Sequence, residues 1–531
     1  MNRPSIRQLA VLALVIAAYT ALYTRALGYD FVWDDVQEIE HNAAFEGPLA
    51  DGLATTQTER TDPDLTQLAT IRLSYDSYRP LLFASYWMDI RLWGRRAGPL
   101  HATNLVLGVL AIIAAYAVAR RLCESPAFAL VTAALFALHP VQIEAVAYIS
   151  GRGDLLAGLF ALTASYAAMR AADAGSRTRA AGWMSASATA FAASLLCKEA
   201  CLGLPVAIAA IAWAAGALRA RLWMVLMLLG VAVAYLVLRR LVVVSTTGGA
   251  LGDALIGLPS VWLEYLQVAI LPFDLSIERM HRASLVPVGW VVVAAVALGA
   301  AAYRTRRQAP IPPAMRTIAA GLAWFAALSG PPAVAVVSSG VAADRYLYTP
   351  WFGLAVALAS AGTAAVRARP ALRRPIIAVA ASWGALLIVV AWYQIPVWRD
   401  NRALYTHAVE MVPNSSSAQY RVAFLDAQTG NWADAIPRLE HAVELDPHNT
   451  RALNNLGVGY LRTRRYPDAE AALARAVEAN PAHFRSWLNL GIARLEQGKR
   501  DAACTAIARA LQINPAYQAA RSTRAQSCAS H

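Results

Sequence analysis

Residues 101–119 and 350–366 contain no Lys, Arg, Asp or Glu. As α-helices, runs of that length cross most of a hydrocarbon layer ~30 Å thick. Their apolar character is continuous and does not alternate, so they cannot be the lipid-facing strands of a barrel. Spans are expected near 9–27, 101–119, 126–147, 154–170, 181–197, 200–217, 222–238, 285–303, 316–330, 350–366 and 376–394, eleven in all. The composition agrees: 58% of residues are hydrophobic, 15% are charged and the mean hydropathy is +0.41. Soluble domains run near 45–50% apolar with roughly a quarter charged. Arg3 and Arg7 before the first apolar run resemble a signal peptide, but no persuasive cleavage site precedes Gly28, so an uncleaved first span is the reading.

The net charge of +13, from 47 Lys+Arg against 34 Asp+Glu, does not point to nucleic acid, because much of the arginine sits in short clusters between spans. With the N-terminus in the cytoplasm, the inside connections carry Arg120–Arg121, Arg177 and Arg179, Arg219 and Arg221, Arg304 to Arg307, and Arg367 to Arg374. Every short inside loop is basic, as the positive-inside tendency requires. An odd number of spans then puts the C-terminus on the other side. That outer face carries two large segments, 28–100 and 240–284. The first includes a polar stretch at 50–70 and an aromatic run from Tyr78 to Trp93 expected to lie in the interface plane. The second holds an apolar piece near 259–272, expected to lie flat or dip in.

After Trp398 the hydropathy collapses and a period of 34 residues takes over, marked by Pro413, Pro447, Pro481 and Pro515. Ala435, Ala469 and Ala503 keep one phase, Ala442, Ala476 and Ala510 another, and Gly457 and Gly491 a third. Small residues let paired helices approach, and proline ends each second helix. The pattern is that of tetratricopeptide units, expected at 415–447, 449–481 and 483–515, with a capping tail. The expected fold is thus all-α: a membrane bundle over 1–398 followed by a helical solenoid over 399–531. The concave surface of such a stack is the natural place to capture a chain, with Tyr460, Trp487, Asn454, Asn455 and Asn489 as docking candidates. Cys504 and Cys528 are read as free thiols, although an oxidising compartment would let them pair.

Once the spans are placed, acids and bases collect at one membrane level. Asp34 and Asp35 follow the first span, and Arg79 and His101 precede the second. His139, Glu144, Arg152 and Asp154 gather around spans three and four, Lys198 and Glu199 fill a hairpin, Arg239 and Arg240 end span seven, and Asp344 and Arg345 precede span ten. Charge at such depth is costly unless paired or facing water, and is a functional candidate. Plain alternatives exist: helix-end ion pairs for Arg152 with Asp154 and Asp344 with Arg345, hairpin polarity for Lys198–Glu199, headgroup anchoring for Arg239–Arg240. His101 and His139 lack zinc spacing and read as helix-end hydrogen-bonders. A carboxylate can take a proton from a hydroxyl nucleophile, and cations beside it can stabilise a departing phosphate. An activated sugar on a lipid phosphate satisfies both parts.

The chain resembles the transmembrane and tetratricopeptide-repeat protein O-mannosyltransferases, within the multispan glycosyltransferases (GT-C) that use polyprenyl-phosphate sugars. The resemblance rests on Phe31-Val32-Trp33-Asp34-Asp35 with Asn42, Tyr78-Arg79-Pro80-Leu81, Pro99-Leu100-His101 with Asn104, His139-Pro140 with Glu144, Gly151-Arg152-Gly153-Asp154, Lys198-Glu199 and Asp344-Arg345-Tyr346-Leu347-Tyr348, in that order before the repeats. It implies inverting transfer of mannose or a related sugar from a polyprenyl phosphate to Ser or Thr of a polypeptide. Asp34 is then the base and Asp35 its partner, while Arg239, Arg240, Arg345, Lys198, Glu199, Arg79, His139, Glu144, Arg152, Asp154 and Asp344 are donor-binding candidates. A magnesium or manganese ion bridging the carboxylates is neither required nor excluded. An envelope glycan or lipid acceptor, or a non-enzymatic scaffold binding proteins through its repeats, are the other expectations. The Ala- and Arg-rich composition suggests a bacterial inner membrane, with the repeats in a periplasm.

Overall fold

The computed structural model describes residues 4–54, 77–123, 125–242, 250–273, 275–277, 279–307 and 310–528. Much of the polar stretch expected at 50–70 lies outside the described residues. The chain is almost entirely helical and divides into two compact units, Met1–Asn401 and Arg402–His531.

In the first unit, besides a short helix at Leu49–Ala54, the helices are α1 (Ile6–Tyr23), α2 (Pro80–Trp93), α3 (Ala97–Leu122), α4 (Pro126–Leu138), α5 (Ile143–Ala147), α6 (Arg152–Ala172) and α7 (Arg177–Cys197). They continue with α8 (Leu204–Ala214), α9 (Leu218–Val242), α10 (Ala250–Ile270), α11 (Val286–Arg307), α12 (Pro313–Ser339), α13 (Tyr348–Ala368) and α14 (Arg373–Gln394). All eleven expected spans are helical, but among the described residues eight helices are long and apolar enough to cross a membrane. The segment expected at 126–147 is α4 and α5 bent by 56° at His139–Pro140, a ninth span if the pair counts as one. Among the described residues the apolar helix Glu199–Ala214 falls short of span length.

Without a hydrophobic force between helices in lipid, the bundle relies on small residues and interhelical hydrogen bonds. A Cβ on Gly321 would sit 2.4 Å from the Gly353 carbonyl oxygen, and one on Gly353 2.3 Å from that of Gly321, so α12 and α13 meet backbone to backbone. On α7, Ser187 and Ser194 donate to the carbonyls of Ala164 and Ala157 on α6, at 2.9 and 2.8 Å. The amphipathic α2 buries Leu82, Phe83, Tyr86 and Asp89 and exposes Met88, Leu92 and Trp93. The second large segment contains α10, which buries Val261, Tyr265 and Val268 and packs on α12. A two-residue ladder, β1 (Arg279–Met280) against β2 (Val341–Ala342), is antiparallel.

The second unit contains α15 (Asn401–Met411, starting one residue before the unit boundary), α16 (Ser416–Gln428), α17 (Trp432–Leu445), α18 (Thr450–Arg462), α19 (Tyr466–Ala479), α20 (Phe484–Leu495), α21 (Arg500–Ile513) and α22 (Gln518–Ser527). Pro413, Pro447, Pro481 and Pro515 each lie two residues past α15, α17, α19 and α21. The three expected units are the pairs α16–α17, α18–α19 and α20–α21, with α15 as an additional second helix and α22 as cap. A Cβ on Gly457 would sit 2.4 Å from Leu473 Cγ, and one on Gly491 2.6 Å from Ile507 Cγ1, which is why glycine recurs there. The free-thiol reading of Cys504 and Cys528 is wrong: they form a disulfide, Cα atoms 5.8 Å apart, tying α21 to the end of the cap. Their separation of 24 residues carried no sign that the cap folds back on α21.

Candidate functional site

The acid pair sits in a turn that an ordinary residue rarely adopts. Trp33 has φ 54°, in the left-handed region, and its backbone N–H donates to Asn401 Oδ1 at 2.7 Å. Such strain persists only where the surroundings over-determine it. The turn sends the two carboxylates to different environments. Asp35 is fully buried, accepting from the Ser150 backbone N–H at 2.8 Å, its hydroxyl at 2.6 Å and the Val32 N–H at 3.3 Å. Burial pushes its carboxyl up to about 7, the Ser150 bonds pulling the other way. Asp34 is partly exposed, and its Oδ2 accepts from the Tyr148 hydroxyl at 3.1 Å. The Tyr148 ring stacks on Trp33, centroids 5.5 Å apart, and leans on Trp398 at 5.2 Å. Glu38, a turn further on, donates its backbone N–H to the Asp34 carbonyl at 2.7 Å; burial and then Asp34 push its carboxyl up to about 8.

Three cations surround this turn, each held by a carboxylate. Arg345 donates its backbone N–H to Glu144 Oε2 at 2.8 Å and its guanidinium to Glu144 Oε1. The same guanidinium lies over the rings of Trp33, Tyr148 and Tyr346 at 5.4, 5.9 and 5.4 Å, and 4.0 Å from Asp154. Lys198 Nζ is 2.6 Å from Asp154 Oδ2 and 5.2 Å from the Tyr346 ring. Arg79 grips Glu199 with two bonds of 2.8 and 3.2 Å, and its charge and that of Arg345 both act on Glu38. Residues 34, 79, 144–154, 198–199 and 345 thus converge at one end of the bundle. Fixed charges of this kind cost no reorganisation when charge develops beside them.

Other residues singled out from the sequence have other partners. Arg152 is fully buried: it donates to Asn104 Oδ1 at 2.8 Å and the Leu100 carbonyl at 2.9 Å, lies 2.8 Å from Asp89 Oδ2, and stacks on Tyr86. It clamps α2 to α3 and α6, and its acid is Asp89, not Asp154. His139 closes the break between α4 and α5. Its Nδ1 accepts the Val141 N–H at 3.2 Å, which leaves Nε2 to donate to the Ala269 carbonyl at 2.9 Å, with Trp351 against its face at 4.0 Å. Asp344 turns away from Arg345 to accept from the Ser276 N–H at 2.9 Å and from Arg279 at 3.3 Å, fixing the loop that carries β1. Arg239 is half-buried and Arg240 exposed on the last turn of α9.

Of the docking candidates, Tyr460 donates to Glu440 at 2.6 Å beneath the Arg465 guanidinium, and the Trp487 indole donates to the Pro481 carbonyl at 2.9 Å. Asn454 Oδ1 accepts from Ser486 at 3.1 Å and Asn489 at 2.9 Å, and its amide donates to Asn455 at 3.2 Å, so these residues tie α18 to α20. The sequence reading passed over Tyr148, Ser150, Glu38 and Asn401. Only Ser150 carried a signal, standing one residue before the Gly151-Arg152-Gly153-Asp154 stretch. Among the described residues no group of three or more His, Cys, Asp or Glu is placed to hold a metal ion, and Asp35 is turned toward Ser150, so the residues present do not fit the bridging cation.

Tetratricopeptide-repeat family models match residues 426–491 and 484–517. Over other measures of likeness, the chain is similar to human protein O-mannosyl-transferase TMTC1, 34% identical over 172 residues, which is 31% of this chain and 18% of that one. Drosophila melanogaster Tmtc2 is 36% identical over 184 residues, 34% and 19% of the two chains, and human TMTC3 is 26% identical over 192, 35% and 20%. Over these stretches the chain is similar to protein O-mannosyl-transferases. The matches span about a fifth of the length of these curated relatives. Among solved structures the chain is similar to the tetratricopeptide protein YrrB, 19% identical, covering 30% of this chain and 87% of that one with a TM-score of 0.23. The bacterial inner-membrane assignment, and the periplasm with it, is overturned: the relatives come from human, mouse, fly, nematode and frog. An Ala- and Arg-rich composition follows from small-residue helix packing and basic loops, and does not identify a compartment.

Proposed function

We propose that this chain is a membrane glycosyltransferase that moves a sugar from a polyprenyl-phosphate carrier to a Ser or Thr hydroxyl of a polypeptide. Mannose is the sugar that the names of its relatives favour. The observation that carries the reading is the division of the acid pair. Asp34 is reachable and oriented by Tyr148, while Asp35 is buried and committed to Ser150.

Asp34 accepts the proton of the acceptor hydroxyl as its oxygen bonds to the anomeric carbon. The bond from that carbon to the carrier phosphate breaks, and the electron pair leaves with the phosphate. A single displacement from the opposite side inverts the anomeric centre. Arg345, Lys198 and Arg79 supply the positive charge that the departing phosphate needs, and Glu144, Asp154 and Glu199 keep those cations in place. Asp35 holds the turn rather than taking the proton. Arg152, His139 and Asp344 hold the scaffold. The repeats offer the acceptor polypeptide a surface.

The test is product analysis. The full chain in nanodiscs, given polyprenyl-phosphate mannose and a Ser/Thr-containing polypeptide, should yield hexose on hydroxyl side chains with the anomer opposite to that of the donor. Hexose appearing on lipid or glycan with the polypeptide unmodified would replace the acceptor. No transfer to any of them would leave a non-enzymatic scaffold.

A further inference from the structure

The carboxylates and their cations occupy one end of the bundle, and the opposite helix ends carry a second, basic group. Arg121 lies in the last turn of α3 and Arg170 in the last turn of α6, while Arg221 and Arg316 each stand fourth in their helices, α9 and α12. The first two have partners. Arg121 is paired with Asp173 and lies over the Tyr166 ring at 5.6 Å, and Arg170 lies over the Trp183 ring at 4.8 Å. Arg221 and Arg316 differ: among the described residues, the Nε of each is buried and has no hydrogen-bond partner. Asp173, already held by Arg121, is the one acid among the described residues at this end, and its charge and that of Arg121 reach Arg221 with opposite signs.

Arg221 and Arg316 flank one turn, residues 215–217, which joins α8 to α9. Arg221 donates its backbone N–H to the Ala217 carbonyl at 3.1 Å, and Arg316 Nη1 lies 3.6 Å from where a Cβ on Gly216 would stand. Gly216 makes the turn at φ 70°, in the left-handed region that glycine enters freely. Both arginines are half-buried. Each adds positive charge to a helix start, where the first N–H groups already make the end positive. An arginine that only had to meet water would reach out along its stem, as the exposed Arg219 does. A half-buried guanidinium with an idle Nε instead costs free energy that an anion laid against it removes.

The side chains beside this turn are apolar and exposed. Trp223, two residues past Arg221, is 78% exposed, and Trp213 and Met315 are exposed as well. A soluble anion would use only the charge of such a place. A phospholipid would use all of it, setting its phosphate on the guanidiniums and its acyl chains along the apolar side chains. We infer that the turn between α8 and α9, with Arg221 and Arg316, is a site for the phosphate of an anionic phospholipid. Guanidiniums take phosphate oxygens in a two-bond fork, and basic pockets between membrane helices suit anionic headgroups. The inference stands whether or not the chain transfers sugar, because the site uses none of the residues around Asp34.

The test uses the full chain in detergent and native mass spectrometry, titrating phosphatidylglycerol against phosphatidylcholine of the same acyl chains. Phosphatidylglycerol should bind at least about tenfold more tightly. Arg221→Gln with Arg316→Gln should weaken its binding at least about tenfold. Arg367→Gln with Arg374→Gln removes two exposed charges from the same end of the bundle and should change it less than about threefold. If the first pair fails to fold by circular dichroism, Arg316→Gln alone decides: it should lose at least about threefold, and unchanged affinity would count against the site. Equal binding of the two lipids, or equal loss from the two pairs of substitutions, would overturn the assignment and leave only diffuse attraction between basic helix ends and charged lipid. Inorganic phosphate at the concentration of the lipid should leave the complex intact. Displacement of the lipid by it would give the site to a free phosphate and overturn the lipid reading.

Discussion

The Tyr148 hydroxyl holds the reachable oxygen of Asp34, and hydrogen bonding to a carboxylate favours its ionised form. Tyr148→Phe should therefore raise the acidic limb of the rate profile and lower turnover about tenfold, with little change in the acceptor Michaelis constant. A bond to a charged group is worth about 1.5–3 kcal/mol. An unmoved pH limb would reduce Tyr148 to packing. Arg345 separates binding from chemistry: Arg345→Ala lowering saturated turnover places the cation at the developing charge, whereas a raised donor Michaelis constant alone makes it a uniform binder; the expected result is the former. Asp35 makes a pH prediction. Its folded carboxyl is raised to about 7, mainly by burial, above an unfolded value near 3.8. Its contribution to stability is complete below the unfolded value and is lost as pH rises through about 7. The apparent melting temperature should thus fall from pH 6 to 8 and fall less steeply in Asp35→Asn, Glu38 contributing the remainder with the same sign. An equal slope in both proteins would contradict the burial argument.

Among the helices, the repeats make the firmest predictions because their register is fixed by backbone approach. Gly457→Ala places a methyl 2.4 Å from Leu473 Cγ and Gly491→Ala one 2.6 Å from Ile507 Cγ1, and overpacking of this kind costs about 1–3 kcal/mol. Each should lower the temperature at which trypsin cuts the repeat unit; unchanged resistance would mean the pairs yield more readily than their packing implies. The Cys504–Cys528 link closes a loop of 24 residues, and loops of that order gain about 3 kcal/mol. Dithiothreitol should accordingly speed cleavage at Arg521 and Arg524 in the cap while sparing α18. These elements were legible because proline, glycine and alanine recur at fixed phase. The spans were legible from hydropathy, yet 200–217 read as a span although its apolar helix, Glu199–Ala214, is short, because a hydropathy run does not say where a helix breaks.

Over the whole chain, the legible part of the site is that which lies next to its motif. Asp34, Arg79, Lys198 and Arg345 stood out because charge at a span end is rare. Arg152 and Asp344 stood out for the same reason and pair with Asp89 and Arg279, since sequence shows that a charge needs a partner without showing which. Asp89 and Arg279, the partners they chose, sit in segments that looked merely interfacial or loop-like. Tyr148 was invisible because a tyrosine at a span break is ordinary until the fold brings the first turn against it. What the fold adds is therefore the asymmetry between two adjacent carboxylates, and the account rests on it. The most direct test is single-turnover transfer by Asp34→Asn, which keeps the side chain's shape and removes its charge, beside Asp35→Asn in the same nanodiscs. General-base catalysis contributes about 10²–10⁴-fold, so Asp34→Asn should lose at least about a hundredfold in rate with donor binding nearly intact, and Asp35→Asn should lose much less. Transfer by Asp34→Asn within a few-fold of the parent, or a deeper loss in Asp35→Asn, would contradict the assignment of the base.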